Sequence, residues 1–120
     1  MTTNTEQLSL VGRKAAQARD WRTVEACANE LIRLSTSNPE GYFLKGLVEK
    51  AAQHPNVASE AFEKVLSLDS TRYDAAIELA SQLVISLRNT EAISLLERYT
   101  GSLSNSPRYL DMAGTIYTDI

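Results

Sequence analysis

Residues 39–72 read PEGYFLKGLVEKAAQHPNVASEAFEKVLSLDSTR, two helical patterns parted by a short break at Gln53, His54 and Pro55. Displaced by 34 residues in either direction, the stretch falls on something similar to itself. Gly46 maps back to Gly12 and forward to Ala80 and Gly114, and Ala58 maps to Val24 and Ala92. Phe62 maps to Ala28 and Leu96, and Val65 to Leu31 and Tyr99. A helical hairpin recurring at this period cannot bury its apolar face alone, so copies stack on one another. The reading is therefore all-α: an α-solenoid of antiparallel helix pairs, about seven helices in three and a half 34-residue repeats.

Working outward, residues 5–19 place Leu8, Val11, Gly12 and Ala15 at i, i+3, i+4 and i+7, one face of a helix. Asp20 is set to cap a second helix near 21–35, with Val24, Ala28, Leu31 and Leu34 inward. Asn38-Pro39 opens a third, because proline at the first helical position loses no hydrogen bond. His54-Pro55 repeats that device for a helix ending near Leu68. A fifth helix, about 72–87, presents Ala76, Leu79, Ala80 and Leu83. The sixth begins at Asn89, with Ala92, Leu96 and Tyr99 inward and a stop at Gly101. Ser106-Pro107 opens a seventh with Leu110, Ala113, Gly114 and Tyr117. Glycine inside a helix costs about 0.5–1 kcal/mol relative to alanine. Keeping Gly12, Gly46 and Gly114 in register implies a packing gain where the helices of a pair approach closely.

The bulk composition narrows the function classes. Hydrophobic residues are 43% and charged residues 22% of 120, an ordinary globular balance. A net charge of −3 and a pI near 5.1 advertise neither nucleic acid nor an anionic membrane as partner. No apolar run approaches the roughly 18 residues that span a bilayer. The polar start, Met-Thr-Thr-Asn-Thr-Glu, lacks a signal-peptide layout, and the lone Cys27 cannot form an internal disulfide. These features together favour the cytoplasm.

Tyr42, Gly46, Ala58 and Phe62 in the central unit, and Leu110, Ala113, Gly114 and Tyr117 in the last, resemble the tetratricopeptide repeat family. Asp20 and Trp21 are similar to that family's acidic-aromatic turn. The resemblance makes residues 1–120 a single domain with units at about 5–38, 39–72 and 73–106 and a half unit at 107–120. Lys45, Glu49 and Ser70 depart from the family pattern, which usually has an aliphatic, an aromatic and a proline at those places. The uncovered last helix leaves Leu110, Ala113 and Tyr117 bare. The expectation is an N-terminal fragment of a longer repeat protein, which also dimerises through that end when concentrated.

What the resemblance implies is a right-handed α-solenoid that serves as a protein-interaction scaffold, its first helices lining a concave groove. Carried over by register, the groove positions are Ser9, Arg13 and Ala16, then Glu40, Phe43, Leu47 and Lys50, then Asp74, Ile77, Ser81, Val84 and Ile85. Phe43, Leu47, Ile77, Val84 and Ile85, with Lys50 and Ser81, form the candidate binding site for an extended peptide or partner helix. The alternative for these apolar residues is that they thicken the contact between neighbouring first helices. Family members that clamp the carboxylate tail of heat-shock chaperones use basic and amide residues where Ser9, Arg13, Leu44, Asp74 and Glu78 stand here. Two acids would repel a carboxylate, which argues against that role.

No chemistry-bearing constellation is visible. His54 is the only histidine and reads as an exposed turn residue; Cys27 reads as a small buried side chain. Glu60 and Lys64 read as an i,i+4 surface pair, and Trp21 as packing at its turn rather than as a binding anchor. The expectation is no enzyme, no cofactor and no metal. A second expectation is that the chain forms the N-terminal regulatory or substrate-positioning arm of a larger enzyme, such as a bacterial sulfotransferase-like or glycosyltransferase protein. A third is a small apolar ligand in the groove.

Overall fold

The structure, a computed structural model, describes residues 4–99. They form six helices and no strand: α1 Asn4–Gln17, α2 Trp21–Leu34, α3 Pro39–Ala51, α4 Pro55–Leu68, α5 Tyr73–Ile85 and α6 Asn89–Arg98. The expected stop of the sixth helix at Gly101 and the expected seventh helix, with Leu110, Ala113, Gly114 and Tyr117, lie outside the described residues. Each helix packs on the next along the chain, and α1 also touches α3. The result is a solenoid of hairpins α1–α2, α3–α4 and α5–α6.

The caps follow the sequence chemistry. The Asp20 carboxylate accepts from Thr23 N at 3.4 Å and from the Thr23 hydroxyl at 2.6 Å, satisfying a free donor at the start of α2. Asn38 accepts from Glu40 N at 3.0 Å, with Pro39 following at the first helical position. His54 makes no cap bond. Its Nδ1 lies 2.8 Å from Glu49 Oε2 instead, on the exposed surface.

The glycine column has a specific occupant. A Cβ on Gly46 would lie 2.5 Å from Phe62 Cε1 and 2.7 Å from Cζ, so the glycine makes room for a fully buried phenyl ring. Hairpin α1–α2 carries Ala28 in the corresponding column. There the space over Gly12 is taken by Leu44 of α3, whose Cδ1 would lie 2.5 Å from an added Cβ. The void that the small Ala28 would leave is thus filled from the neighbouring hairpin, which ties the two together. Two core clusters result. One, around Val24, Leu31 and Leu44, joins α1, α2 and α3; the other runs from Phe43 through Phe62 and Leu83 to Tyr99. Cys27 sits in the first, where burial pushes its thiol pKa up.

A second period of 34 appears in the backbone. Arg19, Gln53 and Leu87 all adopt left-handed geometry, with φ of 59°, 63° and 62°. After each, the next amide closes a six-residue bond: Asp20 N to Ala15 O at 2.8 Å, His54 N to Glu49 O at 2.9 Å and Arg88 N to Leu83 O at 2.8 Å. These are Schellman turns, where glycine is the usual occupant. A left-handed non-glycine residue costs about 1–2 kcal/mol. Leu87→Gly, at a side chain 86% exposed, is therefore expected to stabilise by about 1 kcal/mol, after allowing for glycine's greater freedom in the unfolded chain. Gln53→Gly should add a similar amount, because separate turns act independently. Thermal melts of the double variant check this; an unchanged or lower midpoint contradicts it.

Candidate functional site

The first helices α1, α3 and α5 share one face, and its centre is ionic. Arg13 of α1 binds Glu40 of α3 through two parallel bonds, Nε–Oε1 at 2.5 Å and Nη2–Oε2 at 2.9 Å. Arg72, just before α5, reaches Glu40 Oε2 at 3.3 Å and Asp74 at 3.1 Å through both its Nε and its Nη2. Arg13 completes the ring with Asp74 at 3.9 Å. Both guanidinium groups also stack on Phe43, their carbons 5.3 Å and 5.0 Å from the ring centroid, within cation–π range. Four charges and one aromatic ring thereby join three successive hairpins. Further along the face Lys50 Nζ meets Glu78 Oε2 at 2.7 Å, linking α3 to α5.

These pairings set the protonation of their members. The bond to Glu40 holds the Arg13 pKa above its ordinary value against the opposing cost of burial, and the charges of Glu40 and Asp74 add to it. For Asp74 burial pushes upward, but the hydrogen bonds and charge of Arg72, the Ala75 amide and the charge of Arg13 outweigh it and leave the pKa low. A carboxylate depressed in the folded state stabilises above its unfolded pKa, and that contribution is lost as pH falls through the folded value. Asp74→Asn should therefore destabilise at neutral pH, with a difference from wild type that shrinks in acid. Urea unfolding at pH 7 and near pH 3 tests this; a difference independent of pH contradicts it.

The residues expected on an open apolar strip divide into two groups. Phe43 and Ile77 are 6% and 7% exposed and belong to the core, so neither presents an open surface. Phe43 is enclosed by Phe62, edge-to-face at 5.8 Å, and by the two arginines. Phe43 and Ile77 both pack in the cluster shared by α3, α4, α5 and α6. Leu47 and Val84 are partly buried, Lys50 and Ser81 intermediate, and Ile85 is 62% exposed. Leu44 is fully buried beneath the face.

Two hollows flank the ionic centre, acids lining one and bases the other. At the N-terminal ends of the helices one of about 370 Å³ is lined by Thr5, Glu6, Ser9, Leu10, Asn38 and Glu40. At the C-terminal ends another of about 390 Å³ is lined by Ala16, Arg19, Trp21, Leu47, Lys50 and Ala51. The polarity follows the helix dipole, which favours acids at the start and bases at the end. Trp21, expected to pack at its turn, does pack on the first core cluster. Its second surface, toward the hollow, becomes visible only once α3 is set beside α1. Arg72, at the start of the expected fifth helix, likewise carries no sequence signal of its two ion pairs.

Among the described residues no helix is long and apolar enough to cross a membrane, and no His/Cys/Asp/Glu group is arranged to hold a metal. No family model and no curated protein matches the sequence. Solved structures do match in fold. The TPR domain of Arabidopsis OM64 superposes with TM-score 0.87 at 15% identity, over 97% of this chain and 96% of that one. The TPR2B domain of yeast Sti1, solved as a complex with pHsp70, gives 0.80 at 16% identity over 94% and 93%. The Yersinia enterocolitica type III secretion chaperone SycD, in complex with a peptide of the translocator YopD, gives 0.77 at 16% identity over 98% and 90%. Stacked hairpins, a small-residue column and these superpositions agree: this chain has the tetratricopeptide-repeat fold, a right-handed α-solenoid.

Proposed function

We propose that the chain is a non-catalytic interaction module of the cytoplasm that holds an extended segment of a protein partner in a groove along α1, α3 and α5. The observation that carries this is the composition of that face: partly buried Leu47 and Val84 and exposed Ile85 beside Lys50 and Ser81. Apolar patches rimmed by polar groups on rigid helices suit peptide recognition. Two structures of the same fold, those of Sti1 and SycD, hold peptide or protein partners, which supports the reading. A carboxylate tail fits poorly. Leu44 is buried, Arg13 is engaged by Glu40, and Arg72 and Lys50 are already held by Asp74 and Glu78.

Selection from a random peptide-display library against the immobilised chain tests the proposal. Enriched peptides should lose binding to Ile85→Asp and Leu47→Asp variants, with helical circular dichroism kept by Ile85→Asp at least. No enrichment, or peptides indifferent to both substitutions, contradicts it.

A further inference from the structure

We infer that the hollow at the C-terminal ends of α1 and α3 is an anchor subsite, which takes one apolar side chain of the partner together with a flanking acidic residue. The inference rests on the interaction-module reading and specifies its ligand.

Shape and charge both point this way. The floor is apolar: Ala16, Trp21 and Leu47 are partly buried against the first core cluster, so the surface a ligand meets is held rigid from behind. About 390 Å³ accommodates a side chain with part of its backbone, at the small end of the usual range for ligand sites. The lining contains two cations, Arg19 and Lys50, and no carboxylate. Of the acids nearest in sequence or contact, Asp20 and Glu49 are engaged elsewhere and Glu78 neutralises Lys50, which leaves Arg19 as the lining's unpaired cation. Asp20 binds Thr23, Glu49 binds His54, and Glu78 holds Lys50 from α5. Arg19 is exposed and makes no ion pair with any described residue. Its backbone is fixed by the Schellman turn, so the guanidinium is delivered to the rim with little backbone freedom to lose on binding. An apolar floor beneath an unneutralised guanidinium is complementary to an apolar side chain with a carboxylate beside it.

Trp21 is the only tryptophan, so its fluorescence reports on this subsite alone. Acetylated, amidated peptides GDLDG, GNLNG and GKLKG are titrated to millimolar concentration. GDLDG should shift the emission saturably, with GNLNG about tenfold weaker, the loss expected from one charge-assisted contact, and GKLKG silent. Arg19→Gly separates binding from folding, because it relieves left-handed strain and should melt higher while binding GDLDG about tenfold more weakly. Arg19→Lys should keep most of the affinity. Equal binding of GKLKG, full affinity in Arg19→Gly, or an unresponsive Trp21 overturns the inference. Library-selected peptides that perturb the amides of Leu47, Val84 and Ile85 but leave the Trp21 indole unmoved overturn the subsite alone. The failure of any library peptide to bind overturns the interaction module as well.

Discussion

Replacing Phe62 by alanine is expected to remove about 3–5 kcal/mol of stability, the range for deleting a fully buried aromatic ring. Phe62 has no exposed surface, fills the space over Gly46 and meets Phe43 edge-to-face. Against a total of about 5–15 kcal/mol for a native domain, the loss brings the fold close to failure. The partner substitution makes the test sharper. Gly46→Ala in the wild-type background gains about 1 kcal/mol of helix propensity. It also drives a methyl to within 2.5 Å of a ring that is packed on all sides, an overpacking cost of about 1–3 kcal/mol, so the net effect is destabilising. In the Phe62→Ala background the obstacle is gone, and Gly46→Ala should become stabilising. A four-corner urea-unfolding cycle reads the reversal of sign; additive effects contradict the account. Gly12→Ala should cost less than Gly46→Ala, because it meets the flexible end of Leu44 rather than a ring.

Glu40→Ala carries the second large expected effect, a loss of about 2 kcal/mol. The Glu40 side chain is 11% exposed and accepts from arginines on both sides, so its removal leaves Arg72, itself 17% exposed, with Asp74 alone. The figure is set below that for a fully buried pair because Arg13 is 45% exposed and partly screened by water. Arg13→Ala should accordingly cost less than Glu40→Ala. Its double-mutant cycle with Glu40→Ala should show coupling, because the two share a pair of parallel bonds. Denaturant unfolding checks both; a Glu40→Ala loss below about 0.5 kcal/mol would make the cluster no more than a surface pair.

The legible part of this fold was its period. Small residues at 12, 46 and 80, an apolar residue facing them and prolines at helix starts all lie within one hairpin, where spacing and propensity suffice. What escaped depends on neighbours distant in sequence. Arg13 and Glu40 stand 27 positions apart, and only the stacking of α1 on α3 makes them partners. Phe43 and Ile85 share a face by register, yet one is enclosed by two arginines and the other is 62% exposed. Register says which way a position points, whereas the size of the adjoining side chains decides whether it is covered. The left-handed turns at Arg19, Gln53 and Leu87 carry no glycine to announce them, since the hairpin geometry imposes them on whatever residue arrives.

A proton NMR experiment on the Gly12 and Gly46 α-protons tests the stacked-hairpin account most directly. Gly46 should show cross-peaks to the Phe62 ring and ring-current-shifted resonances. Gly12 should show cross-peaks to the Leu44 δ-methyls instead, with Leu44 supplied by the next hairpin. Glycine resonances at ordinary shifts, with Phe62 and Leu44 in contact with neither, would contradict it.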